Sequence, residues 1–294
     1  MGSPCAVHYC AQASDAQQVA QSLVGEIERL EQKYSRYLNN SVASQINAVA
    51  AEAGTIQVDA ETAALLDYAH VAWQESDGLF DITSGVLRQA WDFKSQRIPL
   101  QKQLNELLVR IGWHNVHWHE NQLQFTVPGM ELDFGGYVKE YAADCVAALA
   151  VKLGIESGLV ELGGDIRVIG PHPDGRPWAV GVRHPTQANR VLATIELQQG
   201  AIASSGDYER CIHVNGKRYG HILNPKTGWP VEGMICATVV APHCLLAGTT
   251  STLALLKGEA GLNWLQDQDL PWLAMDNSGE THGTVFNQPQ ASDA

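Results

Sequence analysis

The spacing of apolar residues predicts helices mainly in the first half of the chain. Residues 15–33 have the pattern of one amphipathic helix face, because apolar side chains recur there every three or four positions: Val19, Leu23, Ile27 and Leu30. The same kind of spacing predicts helices over residues 60–75, 100–109 and 140–153. A short strand is expected earlier, at residues 6–9, and residues 118–127 are expected to form strands around a turn.

After residue 157 the pattern changes to short segments that alternate or are rich in β-branched residues, separated by Gly, Pro, Asn or Asp. This pattern predicts antiparallel strands over residues 158–170, 178–183, 192–197, 201–204, 211–214 and 235–240. Helices at residues 245–256 and 259–267 are expected before a last strand at 272–275. Helices followed by such a run of strands favour an α+β fold over a doubly wound parallel sheet.

The composition is that of a compact folded protein. Of 294 residues, 45% are hydrophobic and 17% are charged, against about 25% charged in an average globular protein. The length predicts a single domain over residues 1–276, or two intimately packed subdomains, followed by a polar C-terminal tail at 277–294. The net charge of -13 opposes binding to nucleic acid or to anionic lipid.

Membrane segments and cysteine-based sites are not expected. No run of residues approaches the roughly 18 apolar positions that a membrane-spanning helix needs, and the first residues do not form a signal peptide. The six cysteines are scattered without a CxxC pair, which is typical of reduced thiols and not of a zinc ribbon or a disulfide framework.

Two turn segments could contact a ligand. Residues 77–83 (DGLFDIT) place two carboxylates and an aromatic ring after a helix, so they either frame a planar ring or form an ordinary helix stop capped by Asp81. Residues 161–167 (ELGGDIR) end a strand at two glycines, which either let the backbone approach a ligand closely or belong to a plain hairpin.

Two further segments contain candidate functional residues, Lys139 and His221. In residues 132–140 (LDFGGYVKE) two glycines and Lys139 lie at a helix start, where N–H groups favour anions; an exposed lysine at a Gly-rich corner is the alternative. The spacing is not that of a P-loop. His221 begins residues 221–230 (HILNPKTGWP), and a histidine there could act as a general base. A structural role is the alternative, as we interpret His172, His184 and His213.

Together these segments resemble the ApbE family of FAD:protein FMN transferases from residue 1 to about residue 275. The motifs follow the family's order: MGS at residues 1–3, YSRY at 34–37, Ser41 and Asn47, DGLFDIT, DFGG with KEYAAD, ELGGDIR, SSGDYER at 204–210 and HILNPKTGWP. The resemblance implies an α+β, T-fold-related architecture of antiparallel sheets with packed helices that binds one FAD.

The resemblance also implies an activity for a bacterial enzyme of this kind. Such enzymes transfer the FMN moiety of FAD to a threonine hydroxyl of an acceptor protein through a phosphoester bond, release AMP and use magnesium. The acceptor would be a redox-complex subunit with a short Ser/Thr-Gly-Ala/Ser-Thr type motif. The alternative is an FAD-binding protein or an FAD pyrophosphatase that produces FMN and AMP without modifying a protein.

The family's functional residues carry over by motif position. His221 is the expected catalytic base. The FAD site is expected to include Met1, Tyr37, Leu79, Phe80, Asp81, Asp133, Lys139 and Leu223, with Tyr37 and Phe80 at the flavin or adenine planes. Magnesium is expected to face the backbone of Gly136 together with Ser251 and Thr252.

Two departures from the family pattern concern the metal. The family's ADxxxT segment contains an Asp where this chain has Gly248, so the carboxylate is missing and a weaker magnesium site is expected. The family's Lys-Gly pair is Lys139-Glu140 here. Glu140 either points at the metal and restores the charge, or is a solvated first-turn glutamate, which is the simpler account.

The resemblance and the start of the sequence give different locations. Family members are commonly lipoproteins or periplasmic enzymes behind a cleaved signal, whereas the MGS element here coincides with residue 1. The sequence as written therefore predicts a cytoplasmic protein. A periplasmic enzyme or an inner-membrane lipoprotein is the alternative if an upstream signal is missing.

Overall fold

The computed structural model describes residues 2–95, 97–187, 189–208 and 210–285. Its helices are α1 (Ala16–Tyr34), α2 (Val42–Ala51), α3 (Ala60–Glu75), α4 (Gln101–Leu108), α5 (Val138–Lys152), α6 (Cys244–Leu256) and α7 (Gly261–Gln266). Its strands are β1 (Cys5–Tyr9), β2 (Thr55–Gln57), β3 (Val116–His119), β4 (Gln122–Phe125), β5 (Gly158–Leu162), β6 (Asp165–Gly170), β7 (Trp178–Arg183), β8 (Val191–Leu197), β9 (Ala201–Gly206), β10 (Cys211–Val214), β11 (Lys217–Gly220), β12 (Met234–Ala241), β13 (Trp272–Asp276) and β14 (Thr281–Gly283).

The chain divides into two compact units. The first, which we call the sheet unit, comprises Met1–Glu31, Tyr137–Glu209 and Glu232–Ala294. The second, the helical unit, comprises Gln32–Gly136 and Arg210–Val231. Helix α1 begins in the sheet unit and its last residues belong to the helical unit. The mixture of helices and antiparallel strands confirms the predicted α+β class.

The sheet unit is built on an antiparallel sheet in the order β1-β5-β6-β9-β12-β13-β14. Helix α5 contacts β5 and β6, α6 contacts β9 and β12, and the two helices contact each other. The start of α6 is fixed in part by Asp144 on α5, whose carboxylate accepts hydrogen bonds from the first backbone N–H groups of α6, at Cys244 and Leu245, both at 2.9 Å. These N–H groups have no partner within their own helix, so the carboxylate caps it.

The β7–β8 hairpin covers apolar residues of the same unit. The buried side chains of this cluster are Val168, Val182, Ala193, Ile195, Leu197, Ile202 and Leu273. They come from β6, β7, β8, β9 and β13, so strands that are distant in sequence share one core.

The helical unit contains a three-stranded sheet in the order β2-β4-β3 and the β10–β11 hairpin. Helix α2 begins at Ser41, whose side chain accepts from the backbone N–H of Ser44, and α3 begins at Asp59, which accepts from Glu61 and Thr62. Its core includes Val86, Leu87, Trp91, Leu104, Leu107, Ile111 and Ile212. Trp91 lies stacked on Phe93, with ring centroids 5.6 Å apart.

The structure differs from the prediction at four elements. Helix α2 and the strands β2, β11 and β14 were not predicted. Strand β14 lies inside the segment expected to be a polar tail, and it pairs with β13. Residues 281–283 therefore belong to the sheet, because a short edge strand can be built from polar, half-buried residues. Among the described residues, no helix has both the length and the apolar character to cross a membrane.

Candidate active site

The candidate residues lie in both units. The helical unit contains Tyr37, Leu79, Phe80, Asp81, Asp133, Gly136, His221 and Leu223, and the sheet unit contains Lys139, Ser251 and Thr252. Met1 lies outside the described residues. Each unit brings part of the set together, as follows.

In the helical unit, Asp133 is held by partners on two sides. Its carboxylate pairs with Arg36 and accepts a hydrogen bond from the backbone N–H of Gly135 at 2.9 Å. Arg36 in turn donates to the hydroxyl of Tyr37 at 3.1 Å, and its guanidinium lies 5.2 Å from the Tyr37 ring centre. Burial lowers the pKa of Arg36, but the charge of Asp133, the contacts with Tyr37 and the charge of Glu131 together outweigh it and raise that pKa overall.

Tyr37 and Asp133 thus belong to one chain of contacts, Tyr37-Arg36-Asp133. Tyr37 is 80% exposed, so its ring is open for stacking while Arg36 limits its orientation. The segment that carries Asp133 is fixed by Asn47 on α2, whose amide donates to the carbonyl of Leu132 at 3.0 Å and accepts from its N–H at 2.8 Å. The side-chain amide of Asn47 thus makes the same two hydrogen bonds to Leu132 that a residue on a neighbouring β-strand would make. These bonds connect α2 to the glycine-rich turn.

Asp81 holds the turn after α3 together from inside. One carboxylate oxygen accepts from the backbone N–H and the hydroxyl of Thr83, at 2.9 and 2.6 Å. The other accepts from Trp73 Nε1 at 3.1 Å and from the backbone N–H of Trp113 at 3.0 Å. Asp81 is only 8% exposed. Its side chain therefore positions the turn, and a direct contact with FAD would have to come from neighbouring backbone.

The aromatic and aliphatic candidates of the helical unit differ in exposure. Phe80 is buried, whereas Leu79 and Leu223 are partly exposed. Leu223 packs beside the core of Val86, Leu87 and Trp91. The stacking role of Phe80 stays a prediction, and Tyr37 is the more accessible of the two predicted ring contacts.

His221 lies at the end of β11, immediately before a closed turn. Asn224 and Trp229 are joined by a backbone hydrogen bond at 2.8 Å, and the side chain of Asn224 accepts from the N–H of Lys226 at 2.8 Å. Gly228 has a φ of 73° and its carbonyl accepts from Trp91 Nε1 at 2.7 Å. This conformation is one that glycine adopts without strain.

The turn is also closely packed. A Cβ added at Gly228 would lie 3.2 Å from Leu104 Cδ2, so the chain passes against α4 there. The ring of His221 meets the ring of Phe93 edge to face, with centroids 6.5 Å apart. The imidazole therefore lies directly before a turn closed by hydrogen bonds and packs against an aromatic ring, and both limit the orientations that a proton acceptor there can adopt.

In the sheet unit, Lys139 connects two carboxylates. It pairs with Asp165, which is almost fully buried at the start of β6, and its ammonium lies 3.3 Å from Glu140 Oε1. Asp165 also accepts from the backbone N–H of Ser204 at 3.0 Å, so it connects β6 to β9. Lys139 thus does not lie unpaired at the helix start.

A cluster of hydroxyl groups connects β9 to α6. Ser205 Oγ lies 2.8 Å from Ser251 Oγ and 2.9 Å from Thr252 Oγ1, and Ser251 Oγ donates to the carbonyl of Gly248 at 3.0 Å. The two predicted metal ligands of this unit, Ser251 and Thr252, are therefore brought together, with Ser205 as a third hydroxyl.

Glu140 contradicts the simpler interpretation of its sequence position. It is 8% exposed, so it is not a solvated first-turn glutamate. A Cβ added at Gly248 would lie 2.5 Å from Glu140 Cγ and 3.1 Å from Glu140 Oε1. The glutamate side chain therefore occupies the space that any side chain at position 248 would need, and the absence of one there is what admits Glu140.

The donors gathered in the sheet unit suit a hard cation. They are the Glu140 carboxylate, the hydroxyls of Ser205, Ser251 and Thr252, and backbone oxygen at Gly248. Magnesium prefers such oxygen ligands, with at least one anionic, and keeps several waters. One carboxylate oxygen, Glu140 Oε2, is buried without a hydrogen-bond partner among the described residues, which leaves it available for a cation.

Four residues important to this arrangement were not among the predicted site residues: Arg36, Asn47, Asp165 and Ser205. Each lies within or beside a motif that the sequence analysis singled out, so their types and positions were visible. Their pairing with Asp133, Leu132, Lys139 and Ser251 was not, because each pair joins segments far apart in sequence.

Comparison with known proteins gives consistent matches. The model of the ApbE family matches residues 1–274. The FAD:protein FMN transferase of Haemophilus influenzae is 30% identical over 238 residues, which are 77% of this chain and 69% of that protein. The FAD:protein FMN transferase of Escherichia coli K12 is 32% identical over 194 residues, which are 63% of this chain and 55% of that protein, so the match spans little more than half of that relative. The crystal structure of the ApbE protein from Thermotoga maritima superimposes with a TM-score of 0.85 at 30% identity, covering 95% of this chain and 93% of that one.

Proposed function

The chain belongs to the ApbE family, and from that premise we propose that it transfers the FMN moiety of FAD to a threonine hydroxyl of an acceptor protein, with release of AMP and support from magnesium. The observation that carries the proposal is the match to FAD:protein FMN transferases, at 30% identity over 238 residues and 32% over 194 residues. The acceptor, a redox-complex subunit with a threonine motif, and the cytoplasmic location stay predictions.

The reaction requires one proton transfer and one exchange of P–O bonds. The threonine oxygen forms a bond to the phosphorus of the FMN half, the bridging P–O bond of the pyrophosphate breaks, and AMP leaves with the bridging oxygen. His221 accepts the proton of the threonine hydroxyl. Its place before the closed turn and against Phe93 supports this role, because both limit the orientation of the imidazole.

The remaining residues bind and orient FAD. Tyr37 offers an exposed ring, oriented by Arg36, and Asp133 fixes Arg36 and the glycine-rich turn. Lys139, with its charge shared between two carboxylates, is the candidate partner for a phosphate oxygen. Ser251 and Thr252 are the proposed metal ligands of the sheet unit, and the role of the Gly136 backbone stays a prediction. Magnesium, when bound, would neutralise charge on the bridging phosphates.

The alternative, an FAD pyrophosphatase or FAD-binding protein, was suggested by the missing carboxylate at Gly248. The buried Glu140 beside Gly248 weakens that argument, because a carboxylate is present at the same place. Nothing else among the described residues favours the alternative over the transferase.

The test is incubation of the protein with FAD, magnesium and an acceptor domain that carries a Ser/Thr-Gly-Ala/Ser-Thr motif. We expect a covalent FMN adduct, seen as flavin fluorescence on a denaturing gel and as an increase in intact mass. His221→Ala should abolish the adduct, whereas His213→Ala, an exposed histidine on the neighbouring strand β10, should leave it unchanged. Free FMN and AMP without an adduct on several such acceptors would favour the pyrophosphatase.

A further inference from the structure

Glu140 is a buried carboxylate with an incomplete set of partners. Its Oε1 has the Lys139 ammonium at 3.3 Å, whereas its Oε2 is buried without a hydrogen-bond partner among the described residues. Removing a charged group from water is costly unless it is paired and hydrogen-bonded. A buried oxygen of this kind therefore needs an explanation, and a bound cation is one of the few available.

The neighbouring charges do not compensate for it. Lys139 is already paired with Asp165, and Arg167 is paired with Asp144 at 3.1 Å. The group thus has two cations, Lys139 and Arg167, and three carboxylates, Asp144, Asp165 and Glu140, so one negative charge is in excess. A group with one uncompensated carboxylate attracts a cation more strongly than it attracts an anion.

The position of Glu140 is set by Gly248 on α6. The close approach of the glutamate to this glycine is possible because no Cβ is present; an added one would lie 2.5 Å from Glu140 Cγ. From Gly248 a series of hydrogen bonds continues through Ser251 to Ser205 and Thr252. Thr249 Oγ1 is a second buried oxygen there without a hydrogen-bond partner among the described residues.

We propose that Glu140 supplies the carboxylate of a divalent-cation site at the first turns of α6, so that an acid on α5 replaces the acid that position 248 lacks. The cation would be of the magnesium class, because every donor in this group is a hard oxygen. Ser251 and Thr252 are the expected hydroxyl donors, because they follow Gly248 by three and four positions and so lie on the same face of α6. The use of this cation in catalysis rests on the proposed function; the binding itself does not.

The first experiment measures binding of the metal alone. Mn²⁺ serves as the probe for Mg²⁺, and the full-length protein is titrated while free Mn²⁺ is followed by electron paramagnetic resonance, with and without FAD. We expect one Mn²⁺ per chain, displaced by excess Mg²⁺. Glu140→Gln keeps the side-chain shape and removes the charge, so it should weaken binding at least tenfold.

The matched control is Glu196→Gln, which makes the same chemical change at an exposed position of β8 in the same unit. It should bind Mn²⁺ as the parent does. Equal affinity of Glu140→Gln and the parent would overturn the proposal, and so would a parent that binds no Mn²⁺ at millimolar concentration in either condition.

A second variant guards against loss of folding. Gly248→Asp alone is unsuitable, because its side chain would collide with Glu140. The double variant Glu140→Gly with Gly248→Asp moves the carboxylate from α5 to the facing position of α6. It should restore the affinity for Mn²⁺ to within a few fold of the parent. A folded double variant that binds no better than Glu140→Gln would contradict the proposal.

The two proposals fail in different ways. Mn²⁺ binding that depends on Glu140, together with no FMN adduct on any acceptor, would refute the transferase and keep the metal site. An FMN adduct that forms with a metal affinity independent of Glu140 would refute the site and keep the transferase.

Discussion

The role of Asp81 can be tested by replacing one oxygen. Asp81→Asn keeps the size of the side chain, but its amide offers one oxygen and one NH₂ group to four donors: the N–H and hydroxyl of Thr83, Trp73 Nε1 and the N–H of Trp113. In either orientation of the amide, the NH₂ group faces donors. At least one buried N–H therefore loses its acceptor.

The expected loss of unfolding free energy in Asp81→Asn follows from these contacts. A hydrogen bond to a charged group contributes about 1.5–3 kcal/mol, and a buried donor left without a partner costs about 1–3 kcal/mol. The Thr83 hydroxyl can turn to accept from the amide, so one or two contacts are lost and not all four. We expect Asp81→Asn to lower the free energy of unfolding of the helical unit by about 2–4 kcal/mol.

The assay is urea unfolding followed by tryptophan fluorescence, without FAD, so that stability is separated from binding. Two of the eight tryptophans of the chain contact Asp81, so part of the emission reports on this turn. Asp77→Asn is the control, because Asp77 is exposed in that turn with a φ of 54°, which asparagine tolerates. It should stay within about 0.5 kcal/mol of the parent. If Asp81→Asn unfolds at the same urea concentration as Asp77→Asn, the carboxylate does not hold the turn.

Two further predictions concern protonation. Burial raises the pKa of Asp59, but hydrogen bonds from Lys33 and from the start of α3 outweigh it and lower that pKa to about 2. The stabilising contribution of the Asp59 carboxylate is therefore complete above about pH 4 and is lost as the pH falls towards 2. Asp59→Asn should flatten the acid unfolding curve in that window, and an unchanged curve would contradict the pairing of Asp59 with Lys33. Burial raises the pKa of the Cys236 thiol to about 11. A thiol reagent at pH 8 should therefore label the exposed Cys5 and Cys10 in the native protein and should reach Cys236 only in denaturant. Peptide mass spectrometry identifies the labelled cysteines, and labelling of Cys236 in the native protein would contradict its burial.

The local patterns were sufficient for most of the elements. Apolar spacing located α1 and α3, and turn residues located the strands from β5 to β10 as well as β12 and β13, because period and turn chemistry are properties of neighbouring residues. Helix α2 could also have been found, since Ser41 is a cap and Ile46 and Ala50 follow at helical spacing. Strands β11 and β14 are short and polar, and their pairing partners decide their conformation.

For the candidate site, too, local sequence and tertiary packing determined different features. Motif order identified the family and the residue types of the site, including the missing carboxylate at Gly248 and the unusual Glu140. Whether Glu140 faces solvent or Gly248 was not decided by either segment, since α5 and α6 meet only when both pack on the sheet. The sequence by itself determined which groups are present and which elements carry them. Only the tertiary structure decided which groups meet, because burial and close approach are created by packing between segments distant in the chain.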